Sequence, residues 1–229
     1  MRAIRRLKTT FLALSAAATL VIAPTSASWA VDPLSLYGSE VKFDVYREGS
    51  RIGAHTVRFT RDGDALKVDA VLDLAVRFLG VPVYRYRYES QARWRSNQLV
   101  SLDVLVDDDG KRHTIQARAN ADRVEVEGPS GPQVLPAGLI PTNHWNPTVL
   151  GASAVLNTLT GRKNRVSIEP LGVTVVATAD GERPARHFRF TGELETEVWY
   201  DNAGRWVKLR FAGTDGSMID YVCRQCGNG

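Results

Sequence analysis

The sequence predicts a mainly β protein: one large curved antiparallel sheet, a half-barrel or open barrel meander, with one amphipathic helix at about 147–160 packing on its concave side. Three observations carry this. Apolar and polar residues alternate with period two along most of the chain, which is the pattern of strands with one buried and one wetted face. The alternating runs are separated by short turn-forming clusters. A single segment breaks into helical spacing.

The elements follow in order. Leu66, Val68, Ala70, Leu72, Leu74 and Val76 form one alternating run, and Val100, Leu102, Val104 and Val106 another. Between them, Tyr84, Tyr86, Tyr88, Ser90, Ala92 and Trp94 share a face, while Arg85, Arg87, Glu89, Gln91, Arg93 and Arg95 share the opposite one. Leu194, Thr196, Val198 and Tyr200, then Val207, Leu209 and Phe211, repeat the pattern near the end. Glu48-Gly49-Ser50, Asp62-Gly63-Asp64, Asp108-Asp109-Gly110 and Asn202-Ala203-Gly204 supply turns. About six strands precede Gly128 and about five follow Gly161, a total that must curl or close rather than stay flat. The helix at 147–160 rests on Asn146 as N-cap, Pro147 at the first position, a Trp145–Leu150 staple, the stripe Val149, Ala152, Leu156 and Leu159, and Gly161 as terminator.

Residues 1–30 read as a secretory signal peptide. Arg2, Arg5, Arg6 and Lys8 precede a short apolar core at 11–23, and small residues lead to a cleavage site near Ala30. The chain carries 29 basic and 25 acidic residues, a net +4. Four of the basic residues and no acidic ones fall in 1–30. The remaining 199 residues are therefore formally neutral, and nucleic acid is not an expected partner. No later stretch approaches the ~20 apolar residues of a membrane helix. The expectation is a periplasmic protein with a single β domain over 31–222 and a short tail, 223–229, holding a C-x-x-C.

Chemistry-bearing residues are sparse. The four histidines, His55, His113, His144 and His187, stand singly, with no metal-ligand spacing. No nucleophile elbow or phosphate-binding glycine loop occurs, so no cofactor and no metal are expected. Cys223 and Cys226 are candidates for a small local disulfide in an oxidising compartment. The stretch PTNHWN, 141–146, is the most specific: capping explains Trp145 and Asn146 but leaves Thr142, Asn143 and His144 without a role. With Trp145 and the aromatic stripe Tyr84, Tyr86, Tyr88 and Trp94, they are the candidate ligand-binding residues, because apolar walls with a few polar groups make a pocket.

The sequence PTNHWN, a helix-like segment ending in Thr-Gly, and the closing run VWYDNAGRWVKLRF resemble an uncharacterised family of exported bacterial proteins, a domain of unknown function. The layout is more distantly similar to the periplasmic lipoprotein-carrier fold (LolA/LolB-like), from which this chain departs in having no cysteine near the cleavage site to carry a lipid. These resemblances imply a curved sheet and carry over no catalytic residues. The leading expectation is a non-enzymatic envelope protein that binds or carries a hydrophobic or amphipathic molecule, such as a lipid, in a cup formed by the sheet. The alternatives are an envelope hydrolase using His144 with a carboxylate, and an assembly protein that binds another envelope protein.

Overall fold

The computed structural model describes residues 32–227. The expected signal peptide at 1–30 lies outside them.

A short helix, α1 (Pro33–Tyr37), opens the fold; the Asp32 carboxylate caps it by accepting from the Leu34 N–H. Eight strands follow: β1 (Glu40–Arg47), β2 (Ser50–Asp62), β3 (Ala65–Phe78), β4 (Val81–Arg95), β5 (Gln98–Asp108), β6 (Lys111–Ala119), β7 (Arg123–Glu127) and β8 (Gln133–Pro136). Seven more complete the chain: β9 (Ile140–Pro141), β10 (Ala154–Leu156), β11 (Lys163–Thr178), β12 (Gly181–Gly192), β13 (Thr196–Asp201), β14 (Trp206–Ala212) and β15 (Met218–Gln225). All fifteen belong to one sheet, ordered β8 down to β1, then β15 down to β9. Each strand therefore lies beside its sequence neighbour, and the first pairs with the last, Phe43 opposite Cys223 and Val45 opposite Tyr221. The ladder is broken only between β8 and β9, which are consecutive in the chain. The meander predicted from the turn chemistry is observed except at β9 and β10, which pair in parallel, Val155 opposite Ile140, across the connecting segment 142–153.

Turn chemistry explains why neighbours pair. Four hairpins close through two residues, both at positive φ: Glu48-Gly49, Leu79-Gly80, Ser96-Asn97 and Asp109-Gly110. Such turns match the right-handed twist of the flanking strands. Curvature has its own devices. A Cβ on Gly53 would lie 2.0 Å from the Asp73 carbonyl oxygen, so β2 and β3 approach more closely there than any other residue allows. At the other side of the sheet, the Ala179 N–H donates to the Cys223 carbonyl, drawing the end of β11 back to β15.

The helix expected at 147–160 does not form. Pro147–Gly151 is a single 3-10 turn, after which Ala152 is extended and Ala154–Leu156 joins the sheet beside β11. The Asn146 cap is present, its side-chain oxygen accepting from the Thr148 N–H at 3.1 Å. What stops the helix is competition for its backbone. The Asn157 side chain takes the N–H groups of Leu159 and Thr160, and Val155 and Leu156 are fully buried as strand residues. The interior is instead plugged by the irregular segment before the turn, since Asn143, His144, Trp145 and Asn146 are all buried. A second boundary also differs. β15 runs through Gln225, so Cys223 is a core strand residue and not the start of a tail.

Gly53→Ala should lower the unfolding free energy by at least about 3 kcal/mol, because its new methyl meets backbone that cannot rotate away; urea denaturation followed by tryptophan fluorescence measures it.

Candidate functional site

The plug segment reaches the interior as an unpaired loop, and its backbone polar groups need partners there. Two tyrosine hydroxyls provide them. Tyr37, from α1, donates to the Trp145 carbonyl at 2.8 Å and accepts from the Trp206 N–H at 2.9 Å. Tyr200, from β13, donates to the His144 carbonyl at 2.8 Å. Between these anchors His144 has φ +48°, and the Trp145 N–H bonds back to the Asn143 carbonyl at 2.6 Å. A non-glycine residue in this region at the centre of so tight a turn stores strain that its surroundings must hold.

The plug separates two aromatic groups. Tyr37, Phe59, Trp145 and Trp94 form a ladder with ring centroids 5.3–5.5 Å apart. The second group centres on Trp206, with Phe43 at 4.0 Å, His55 at 5.7 Å, His144 at 5.8 Å and Tyr221 at 6.2 Å. His55 also meets Tyr221 edge-on at 5.6 Å, and His144 meets Phe190 at 5.6 Å. Pairing register sets Phe43, His55, Leu72 and Tyr88 in one row across β1 to β4.

Around this second group the interior is polar without being internally satisfied. Both ring nitrogens of His55, Nδ1 of His144, Nδ2 of Asn143, the Ser90 hydroxyl and the Tyr88 hydroxyl are buried with no hydrogen bond of ordinary geometry. Ser90 and Thr158 lie near enough to Tyr88 to offset part of the rise that burial imposes on its phenol. Tyr86, Tyr88 and Tyr221 also face one another closely: burial raises Tyr221, and the other two phenols raise it further. Burial pulls His144 down to about 4. Burial, and then the proximity of His144, pulls His55 down to about 3. Both imidazoles are therefore neutral near pH 7, each able to donate one hydrogen bond and accept another.

Of the sequence-predicted residues, Tyr88 and His144 fall in this cluster, Tyr86 lies beside it, and Asn143 is buried next to His144 in the plug. Trp94 and Trp145 belong to the aromatic ladder. Thr142 instead fastens β9 to the turn after β10, its hydroxyl bonding the Thr158 hydroxyl and N–H, both at 3.2 Å. Tyr84 lies on the outside, donating to Asp108 at 2.7 Å. Cys223 and Cys226 are joined in a disulfide. Among the described residues no group of three or more His, Cys, Asp or Glu side chains is placed to hold a metal. Sequence reasoning missed His55, Trp206 and Tyr221. The signal for His55 was period two itself, since it stands two and four residues before the core residues Val57 and Phe59.

A near-closed meander with a plugged interior of aromatic rings and neutral histidines defines a β-barrel-like protein. The chain belongs to the family described as a domain of unknown function, DUF6134, whose model matches residues 43–224. Among solved structures it is similar to the crystal structure of a β-barrel-like protein of another domain of unknown function, DUF1849, from Brucella abortus. The two share 7% sequence identity with a TM-score of 0.58, over 83% of this chain and 97% of that one. No curated protein matches.

Tyr200→Phe leaves the His144 carbonyl without its donor and should cost about 1–3 kcal/mol of stability in a urea titration. A pH series is equally informative. Both histidines have folded-state values below the ~6.5 of an unfolded chain, so the unfolded form binds protons first as pH falls. Stability is then full above about pH 6.5 and declines below it, by about 1.4 kcal/mol per pH unit for each histidine. His55→Phe should flatten the decline between pH 6.5 and 5.

Proposed function

We propose that this protein is a non-enzymatic, exported binding protein of the bacterial envelope that holds an amphipathic molecule inside its sheet. The observation that carries the reading is the pair of buried histidines, His55 with neither ring nitrogen hydrogen-bonded and His144 with a free Nδ1, set against the rings of Phe43, Trp206 and Tyr221, with the buried Tyr88 hydroxyl close to Tyr221. Leaving a buried donor or acceptor unpaired costs about 1–3 kcal/mol, and natural interiors contain few. Several in one place are the mark of groups that serve a ligand: rings take its apolar body, and neutral imidazoles and a hydroxyl take its polar end. Export rests on the N-terminal segment alone.

The hydrolase alternative has weaker support. A catalytic histidine is oriented by a carboxylate, whereas His144 Nδ1 has no hydrogen-bond partner and its ring packs between Phe190 and Trp206.

Native mass spectrometry of protein purified without detergent from its bacterial host should show a bound species of lipid-like mass. The double variant His55→Ala/Tyr88→Phe should lose most of it while keeping the fold. A parent protein that carries no adduct, and that binds no apolar fluorescent probe saturably, would contradict the reading.

A further inference from the structure

The β3–β4 hairpin is built differently from the rest of the sheet. β2 accompanies β3 only as far as Leu74, and β5 accompanies β4 only from Tyr86 onward. In the sheet, residues 75–78 and 81–84 therefore pair with each other alone, a two-stranded ribbon about 13 Å long. Its tip is apolar and solvent-facing: Leu79 is 88% exposed, Phe78 68%, Val81 61% and Val83 57%. Phe78 and Val81 lie opposite each other, and Val83 follows on the same side of β4. Nothing in the fold demands this composition. Leu79 occupies a turn position at φ +50°, where asparagine or aspartate is the favoured residue before glycine. An exposed leucine accepting that conformation beside an exposed phenylalanine is a patch with an external use.

Charge indicates what it meets. Between Asp73 and Glu89 the hairpin carries Arg77, Arg85 and Arg87 and no acidic residue. Arg87 is paired with both Asp73 and Glu89, whereas neither Arg77 nor Arg85 forms an ion pair among the described residues. Across the sheet most other arginines are paired. Two guanidiniums without an ion pair thus flank the apolar apex, with the phenols of Tyr84 and Tyr86 just behind and the Asp108 and Asp109 carboxylates of the β5–β6 turn against Tyr84 and the Arg85 backbone. Apolar residues that enter the acyl boundary, arginines level with anionic head groups and aromatic rings in the interface are what a bilayer surface accepts.

We infer that the β3–β4 hairpin tip is a membrane-docking element that inserts Phe78 and Leu79 into the surface of an anionic bilayer. The surface is separate from the interior cluster and does not depend on a ligand there. The test is co-sedimentation with vesicles of phosphatidylcholine alone or mixed with phosphatidylglycerol, using the protein as its host produces it, with the N-terminus mapped by mass spectrometry. The parent should sediment with the anionic vesicles and be released by high salt. Phe78→Thr/Leu79→Asn should bind at least about tenfold more weakly, as the loss of two inserted side chains requires. Asparagine suits the turn, so this variant keeps its fold. Arg77→Gln/Arg85→Gln should lose the preference for anionic over neutral vesicles. A parent that stays in solution with anionic vesicles, or a Phe78→Thr/Leu79→Asn variant that binds as tightly as the parent, overturns the inference. Tip-dependent binding to an envelope protein without binding to vesicles overturns it as well.

Discussion

Two hydrogen bonds, from the Tyr37 and Tyr200 hydroxyls to the carbonyls of Trp145 and His144, hold the structure to its particular form. A curled sheet of fifteen strands leaves an interior that strand side chains must fill, and this fold fills part of it with irregular backbone. Such a segment can be buried only where its polar groups are met. The surroundings serve that purpose. α1 exists to deliver Tyr37, whose hydroxyl also fixes the start of β14 by accepting from Trp206 N–H. The hairpin carrying Tyr200 and Trp206 is locked by Asp201, which accepts from the N–H groups of Ala203 and Arg205 and pairs with the Arg205 and Arg183 guanidiniums. Once Trp145 is seated, it joins Trp94 and Phe59 into a ladder that ties β2 and β4 to the plug.

The same arrangement produces the polar cluster. Anchoring the carbonyl of His144 leaves its imidazole to project among Trp206 and Phe190, close to His55. Neither ring has an acidic neighbour to draw it toward the charged form; burial alone pulls His144 down, and His55 is pulled down by burial and by His144. A core selected for stability alone would replace such groups with apolar ones of similar size. Their retention beside a strained turn is the kind of local inconsistency that functional sites carry.

Much of the architecture was legible in the residues. Period-two alternation and turn clusters are local signals, and hairpin topology follows from them because two-residue turns allow only neighbouring strands to pair. The segment after Asn146 misled for an equally physical reason. Its cap, its proline and its apolar spacing are true helix-start features, but the Asn157 side chain and the open edge beside β11 compete for the same backbone groups. Periodicity registers side chains and not that contest. The site was half visible. His144 and Tyr88 stood out by type and face, whereas His55 and Tyr221 lie 166 residues apart in sequence and meet only because β1 pairs with β15. No local pattern encodes that closure.

His55 and His144 form a buried, neutral pair held in place by the plug. Titration of the imidazole ¹³C resonances by NMR tests it most directly, with assignments from His55→Phe and His144→Phe. Signals of both residues that stay in the neutral form down to about pH 5 are the result the account predicts. Titration of both near the ~6.5 of a solvated histidine would contradict it.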